Sequence, residues 1–325
     1  MKAADQYVPK VSVIIPVFNS PLLIRKCLES LLPQDWPDYE VIVVDDGSTD
    51  ETPEEVLKYD VRLIRNEHRG ISAARNKAVK SARGDIILGL DADLQVPRDL
   101  IKRMIAPLAN EKTGVTMAWW DVANADNLVA ALIFRTYEYF VRHLEEPDFL
   151  WSYCFAVKKK IFEEVGGFSE MLLVGEDVDF AHRVTGAGYK IVIIKDLRVW
   201  HYFRDSLWGH LKRHFLTART KFCYVLDSRK VFDQRGYPVE YLKLLLHFLL
   251  IVSIPALFWK PQIFFILLLL ALSGHLKITL WSMKKGLKFA LILPFEFVTK
   301  IAWVAGVIQG AFWKLKGYRP TPADL

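Results

Sequence analysis

Two aspartates one residue apart, Asp91 and Asp93, are by type and spacing the side chains best suited to chemistry in this sequence. In extended backbone, positions i and i+2 face the same way. Both carboxylates can then approach one hard divalent cation, and such a cation grips phosphate oxygens. Polar groups stand in similar surroundings elsewhere: Asn19 follows the apolar run Val11–Phe18, and Asp45-Asp46 follow Val41–Val44. Glu176 and Asp177 lie where a helix is expected to begin, and the positive end of its dipole favours an ionised carboxylate there. Either residue also suits plain helix capping. No glycine-rich dinucleotide fingerprint follows the first apolar run and no GxxxxGK[ST] occurs, which argues against NAD and against a P-loop. His210 and His214 are four apart, but Leu-Lys-Arg between them lacks the glutamate of a zinc hydrolase.

The elements that must position these groups are legible as alternating runs. Val11–Phe18, Val41–Val44, Val61–Arg65 and Asp85–Leu90 read as strands buried on both faces. Between them, residues 22–32, Glu51–Lys58 and Ser72–Arg83 read as helices, the last stopped by Gly84. This β-α-β-α-β-α-β order predicts an α/β domain, a mostly parallel sheet with helices on both faces. Ligands in such sheets bind at the carboxyl ends of the strands. Asn19, Asp45-Asp46 and Asp91/Asp93 all fall at that edge. Further on, Val115–Trp120, Tyr189–Ile194 and Arg198–Trp200 read as strands, and Leu128–His143, Asp177–Val184 and Leu207–Val225 as helices, with Gly186-Ala187-Gly188 closing the second of these.

With 325 residues, 52% hydrophobic and 25% charged, the chain can bury a core, and wholesale disorder is excluded. Its three cysteines form no CxxC pair, so neither a disulfide framework nor a zinc knuckle is expected. The net charge of +6 is unevenly spread: from Tyr241 onward there are ten basic residues and two acidic ones, and the preceding part is slightly acidic. Basic residues flanking apolar runs point to a membrane rather than to nucleic acid. MKAADQYVPK has no apolar signal core, so the first domain is expected in the cytosol. Residues 1–236 are read as that cytosolic domain. Residues 237–325 are read as a multi-pass cell-membrane region with two or three spanning helices, about 241–259, 262–281 and 289–313. Lys243 and Lys277 are expected to snorkel, with Tyr241 and Trp281 at one interface and Trp259 at the other. Glu296 and Lys300 interrupt the third run and can pair. A hairpin of the first two runs keeps Lys284, Lys285 and Lys288 in the cytosol; a third span would export Lys314, Lys316 and Arg319, against the positive-inside rule.

The segments Val11-Ser12-Val13-Ile14-Ile15-Pro16-Val17-Phe18-Asn19, Val43-Val44-Asp45-Asp46-Gly47-Ser48-Thr49-Asp50 and Gly70-Ile71-Ser72-Ala73-Ala74-Arg75-Asn76 resemble those of family 2 glycosyltransferases. Asp91-Ala92-Asp93 is similar to that family's DxD motif, and Gly166-Gly167-Phe168 and Gly175-Glu176-Asp177 resemble its acceptor-side motifs. The resemblance covers roughly residues 11–215. It implies a nucleotide-diphospho-sugar transferase fold, inverting transfer and Mg²⁺ or Mn²⁺. It also implies a substrate surface containing Pro16, Asn19, Asp45, Asp46, Arg75, Asp91, Glu176 and Arg213. Within it Asp46 with Asp45 reads the base, and Arg75 holds the nucleotide or its diphosphate. Asp91 and Asp93 hold the metal and donor, Arg213 sits near the diphosphate, and Asp177 is the catalytic base. His201, following the returning strand Arg198–Trp200, offers a third metal ligand or a merely packed imidazole.

A sugar hydroxyl is a poor nucleophile, so its proton must be taken as the bond forms. Charge gathers on the departing nucleoside diphosphate, where a cation stabilises it. The reading is therefore a membrane-bound hexosyltransferase acting on a nucleotide-sugar, with UDP-sugars favoured over GDP-sugars, and on a lipid-linked or glycan acceptor. Three alternatives differ in kind. Asp91-Ala92-Asp93-Leu94-Gln95 also resembles polyprenyl-phosphate sugar synthases, whose ionised acceptor needs no base; Glu176-Asp177 weighs against them. A non-catalytic nucleotide-sugar sensor is opposed by intact Asp91, Asp93 and Asp177. A processive synthase needs more helices than this tail holds.

Overall fold

The computed structural model describes residues 10–141, 149–225 and 238–324. The chain forms two compact units. One takes the sequence up to Ala123 and then the stretch ending at Tyr202; the other takes the stretch from Asn124 and everything from Phe203 onward. In chain order the elements are β1 (Val11–Val17), α1 (Pro21–Leu31), β2 (Tyr39–Asp45), α2 (Thr52–Val56), β3 (Arg62–Arg65), α3 (Ile71–Ser81), β4 (Ile86–Leu90), β5 (Leu94–Gln95), α4 (Leu100–Ile105) and β6 (Thr113–Val122). They continue with α5 (Leu128–Val141), β7 (Cys154–Lys158), α6 (Lys159–Glu164), α7 (Glu176–Gly186), β8 (Lys190–His201) and α8 (Leu207–Val225). The last four are α9 (Pro238–Val252), α10 (Pro261–Ser273), α11 (Leu276–Met283) and α12 (Ile292–Leu315).

The first unit is built on one eight-stranded sheet of order β3-β2-β1-β4-β7-β6-β8-β5. β1 is central and buried along its length, which is why it reads as an unbroken Val/Ile run. It is parallel to β2 and β4, and β2 is parallel to β3. The β1–β4 pairing ends at Ile14↔Gly89 while β1–β2 continues to Val17↔Asp45. β1 therefore parts from β4 at its carboxyl end, and Pro16, which has no N–H to give, sits beyond the last β1–β4 pair. The carboxyl-end edge between β1 and β4, where the strand order reverses, is the topological switch point.

Three features differ from the sequence reading. β7 has no counterpart in it, yet β7 lies between β4 and β6 and is antiparallel to both. Its five residues run straight into Lys158-Lys159-Lys160, so their burial depends on neighbours that only the fold supplies. β8 is one strand instead of two: its register on β6 slips between Ala118 and Trp119, so the stretch 195–197 bulges without ending the strand. Finally, α3 ends at Ser81 with Ala82 already extended, before Gly84. A Cβ at Gly84 would lie 2.6 Å from the Ser12 amide nitrogen and 2.8 Å from the Lys10 carbonyl oxygen, so this glycine serves close approach to β1. The core beneath the sheet joins Ile14, Ile42, Ile87 and Val115 to Phe155, Phe168 and Phe180.

The second unit contains α5, α8 and the C-terminal helices. The division by packing differs from the boundary that composition draws at residue 236: α5 shares a core with the tail, where Ala131, Leu132 and Ile133 pack with Ile278, Phe289, Ile292 and Phe295, and α8 lies against α12 at Gly306 and Gly310. Residues 142, 143, 236 and 237, where the reading placed a helix end and that boundary, lie outside the described residues. The apolar runs do not form three straight spans. The first gives α9 and a 3₁₀ turn (Ile254–Phe258). The second breaks into α10 and α11, bent by 44°. Among the described residues Leu287–Leu315 is the one unbroken helical run long and apolar enough to cross a membrane. Lys243 is buried instead of snorkelling, its Nζ 5.5 Å from the Phe140 ring centroid. Trp281 stacks under the Arg135 guanidinium at 3.8 Å, and Trp259 is exposed as an interfacial residue would be. Glu296 is buried and accepts a hydrogen bond from Thr136 Oγ1 at 3.0 Å.

Candidate active site

At the carboxyl ends of β1 and β2 the polar residues fasten turns. Asn19, with φ +45°, accepts the Thr49 amide through Oδ1 (2.9 Å). Asp45 is buried and accepts the Ser48 amide at 3.0 Å. The Asp46 carboxylate is the most heavily used: Oδ1 accepts from Asn66 Nδ2 (2.7 Å) and the Arg69 amide (3.0 Å), and Oδ2 from the Gly70 amide (2.8 Å). It clamps the loop from β3 to Gly70, the residue that opens α3. Phe18 and His68 stack at 4.1 Å over this corner, and both are open enough to meet a ligand. Pro16 is buried in β1, so its side chain contributes shape alone.

α3 then carries Arg75 into the interior. Sequence reading assigned Arg75 to the nucleotide; the structure buries it, 1% exposed, as a hub among protein groups. One terminal nitrogen donates to Asp91 Oδ1 (2.7 Å) and to the Ser152 carbonyl (3.0 Å), the other to Glu176 Oε1 (3.4 Å). The guanidinium lies 5.2 Å from the Phe168 ring centroid. Phe168 is fixed in turn by Asn76, which accepts its amide (3.0 Å) and donates to its carbonyl (2.8 Å). Gly167, at φ +66°, passes so near Asn76 that a Cβ would stand 2.9 Å from Oδ1. The glycine-glycine-phenylalanine motif therefore builds the floor under Arg75.

Asp91 and Asp93 follow β4 as expected. Burial raises the Asp91 pKa, an effect that Arg75 opposes and Asp93 reinforces. Asp93 Oδ2 meets His201 Nε2 at 3.1 Å. What brings them together is β5: Leu94 pairs with His201, and the Tyr202 amide donates to the Asp93 carbonyl at 2.9 Å. Among the described residues no three His, Cys, Asp or Glu side chains form a ready metal-binding group.

Gly175, in the left-handed region at φ +87°, turns the chain into α7. Glu176 is buried against Arg75, and Asp177 beside it is half-buried, its Oδ1 accepting the Val178 amide at 2.8 Å. The Glu176 pKa is pushed up to about 7, by burial first and by the neighbouring Asp177 next, against the pull of Arg75.

Groups without a sequence signal complete the site. Ser152 acts through its carbonyl, and β7 and its approach supply an aromatic wall. Trp120 stands edge-on to Trp151 (4.4 Å) and to Tyr153 (5.3 Å), the Asp91 amide donates to the Tyr153 carbonyl (2.8 Å), and the Tyr153 ring stacks with His201 (6.2 Å). A cluster of Trp and Tyr in the sequence signals only apolar mass. Cys27 and Cys154 are buried near Asp91, and desolvation and its charge raise both thiol pKa values, so neither is a nucleophile. Arg213 belongs to α8 in the second unit, where it is exposed. His210 likewise lies on α8, bonded to Thr299 (3.1 Å).

Residues 12–166 match the family model described as glycosyl transferase family 2. The chain is 30% identical over 201 residues to the glycosyltransferase AglE of Haloferax volcanii, covering 58% of this chain and 66% of the relative. It is 39% identical over 111 residues to the dolichol-phosphate mannosyltransferase of Pyrococcus furiosus, covering 31% of this chain and 30% of the relative. The chain thus spans 30% to 66% of the length of these curated relatives. Among solved structures it resembles a mannosyltransferase of Pyrobaculum calidifontis, in complex with GDP-Man and Mn²⁺, at a TM-score of 0.60 and 22% identity over 95% of this chain and 88% of that one.

Proposed function

The chain belongs to glycosyl transferase family 2, and on that premise we propose that it transfers a sugar, with inversion, from a nucleotide-diphospho-sugar to a hydroxyl acceptor at a membrane. The observation that carries this reading is the gathering of Asp91 and Glu176 on buried Arg75, with Asp93 and His201 joined beside Asp91.

Asp177 is the base. The Val178 amide at the start of α7 holds its orientation. It takes the acceptor proton while the acceptor oxygen bonds to the anomeric carbon and the bond to the nucleoside diphosphate breaks on the opposite face. Glu176 and Arg75 position this group. Asp45, Asp46, Asn19 and Pro16 shape the base pocket through the turns they hold, under the Phe18–His68 stack.

Asp93 and His201 make an oxygen-and-nitrogen pair suited to Mn²⁺ or Mg²⁺, and two protein ligands suffice where the donor's phosphates complete the shell. Asp91, held by Arg75, adds charge behind them. A divalent cation there supplies neutralisation of the departing diphosphate.

The fold is shared with a structure that holds GDP-mannose, which gives uridine no advantage over guanosine. The exposed apolar side chains of α9 and α10 (Leu242, Val252, Leu269 among them) and the run Leu287–Leu315 support membrane association, and the positive-inside rule applied to Lys284, Lys285 and Lys288 favours a cytosolic catalytic unit. A second reading, transfer to a polyprenyl phosphate, is favoured by the likeness to the dolichol-phosphate enzyme. The experiment is a panel of UDP- and GDP-sugars with Mn²⁺, scored for nucleoside diphosphate release with hydroxyl and lipid-phosphate acceptors. Release with one donor supports the transferase. Tight nucleotide binding without release from any donor favours a sensor and ends this reading.

A further inference from the structure

Gly306 and Gly310, one turn apart on α12, face α8 so closely that a Cβ on either would collide with the main-chain oxygen of Phe215 or Arg219. Such a small-residue pair lets two helix backbones touch, and both glycines are used within this chain. The contact runs the length of both helices in parallel. His210 bonds Thr299 at 3.1 Å, the His214 and Trp303 rings lie 5.8 Å apart, Arg219 donates to Gln309 (3.3 Å), and Lys314 donates to the Cys223 carbonyl (3.1 Å). Whatever depth α12 reaches, α8 reaches beside it.

α8 carries Lys212, Arg213, Arg219 and Lys221. The contacts of His214 and Phe215 set Lys212 and Arg213 near the middle of α12, and both are exposed. An α12 that crossed a bilayer would hold two exposed cations near its midplane, the most costly place for them. At its C-terminal end the chain turns back: Arg219 donates to the Asp324 carbonyl at 2.6 Å, so the tail ends against α8. The pair is apolar on one exposed part, with Ile308, Phe312 and Leu315, and cationic on another. That is the make-up of helices lying in an interface.

We propose that α8 and α12 lie together in the plane of an anionic membrane surface. Ile308, Phe312 and Leu315 enter the acyl boundary, Lys212 and Arg213 face the headgroups, and the C-terminus stays on the face that carries the catalytic unit. This rests on the membrane reading above and removes its charge conflict, since Lys314, Lys316 and Arg319 are then never exported.

The test uses the full chain, expressed in membranes, with single reporters Ala323→Cys and Lys80→Cys. Both positions lie outside the catalytic groups, and the three native cysteines are buried and serve as background. A membrane-impermeant maleimide is applied to vesicles of each orientation. The expected result is that Ala323→Cys and Lys80→Cys label from the same face. Labelling from opposite faces overturns the in-plane pair and leaves membrane association standing. Failure of the protein to float with membranes at low salt overturns both.

Discussion

The guanidinium of Arg75 stands 3.4 Å from the Glu176 carboxylate, joining the helix that follows β3 to the first turn of the helix that presents Asp177. A buried cation with one buried and one half-buried carboxylate partner cannot be removed cheaply. Arg75→Ala leaves Asp91 and Glu176 without their counter-charge and is expected to destabilise the catalytic unit by about 3–5 kcal/mol. Urea unfolding of the variant checks this; a midpoint equal to wild type would refute the hub.

Asp177→Asn keeps size and hydrogen bonding but cannot accept a proton. Transfer to a hydroxyl acceptor is expected to fall ~10²–10⁴-fold, in kcat, with donor affinity near wild type. Since Asn caps helices as well as Asp, a purely structural residue would tolerate the change. Near-normal rates would favour the lipid-phosphate acceptor.

Glu176 makes the pH dependence specific. Its folded pKa of about 7 lies above the ordinary carboxylate value, so between the two the folded state holds a proton that the unfolded chain has released. Stability from this group is full at acid pH, falls as pH rises through that window, and levels off above it. Glu176→Gln, which still offers an oxygen to Arg75, is expected to flatten the decline. Thermal melts of both proteins from pH 4 to pH 8 read the difference, and parallel curves would argue against the raised pKa.

Asp93→Ala is expected to abolish turnover and weaken donor binding while the fold persists, and EDTA should do the same to wild type. His201→Ala should raise the Mn²⁺ concentration needed for donor binding, read by calorimetry with and without the ion. Full transfer by wild type in EDTA would dismiss the metal.

Gly84→Ala forces a methyl group against the Ser12 amide and the Lys10 carbonyl. Overpacking of this kind costs about 1–3 kcal/mol, which a denaturation midpoint resolves. A glycine that only stopped α3 would give a far smaller effect.

The half of the sheet from β1 to β4 was legible because each strand buries both faces and so reads as a Val/Ile run between helical repeats. β7 and β5 were not. One is five residues long and the other two, and their neighbours come from distant parts of the chain. His201 was offered as a partner of Asp91 and Asp93 on a returning strand, but the β5–β8 pairing that joins it to Asp93 was not legible. The burial of Arg75 was not legible, since its partners Ser152 and Glu176 lie far along the sequence. The apolar character of the tail was legible in the sequence. The 44° bend between α10 and α11 and the packing of α12 on a cationic helix were not, because both depend on neighbours that only the fold supplies.

The Tyr153 carbonyl that accepts the Asp91 amide belongs to the same short stretch as Trp151, whose ring stands edge-on to Trp120 at 4.4 Å and an interplanar angle of 78°. Two indoles this close and this nearly perpendicular couple their electronic transitions, so the wall of the site is its own optical reporter. A shift of Asp91 on binding a donor is transmitted through one main-chain bond to those chromophores. Near-ultraviolet circular dichroism of the unlabelled protein therefore follows occupancy directly.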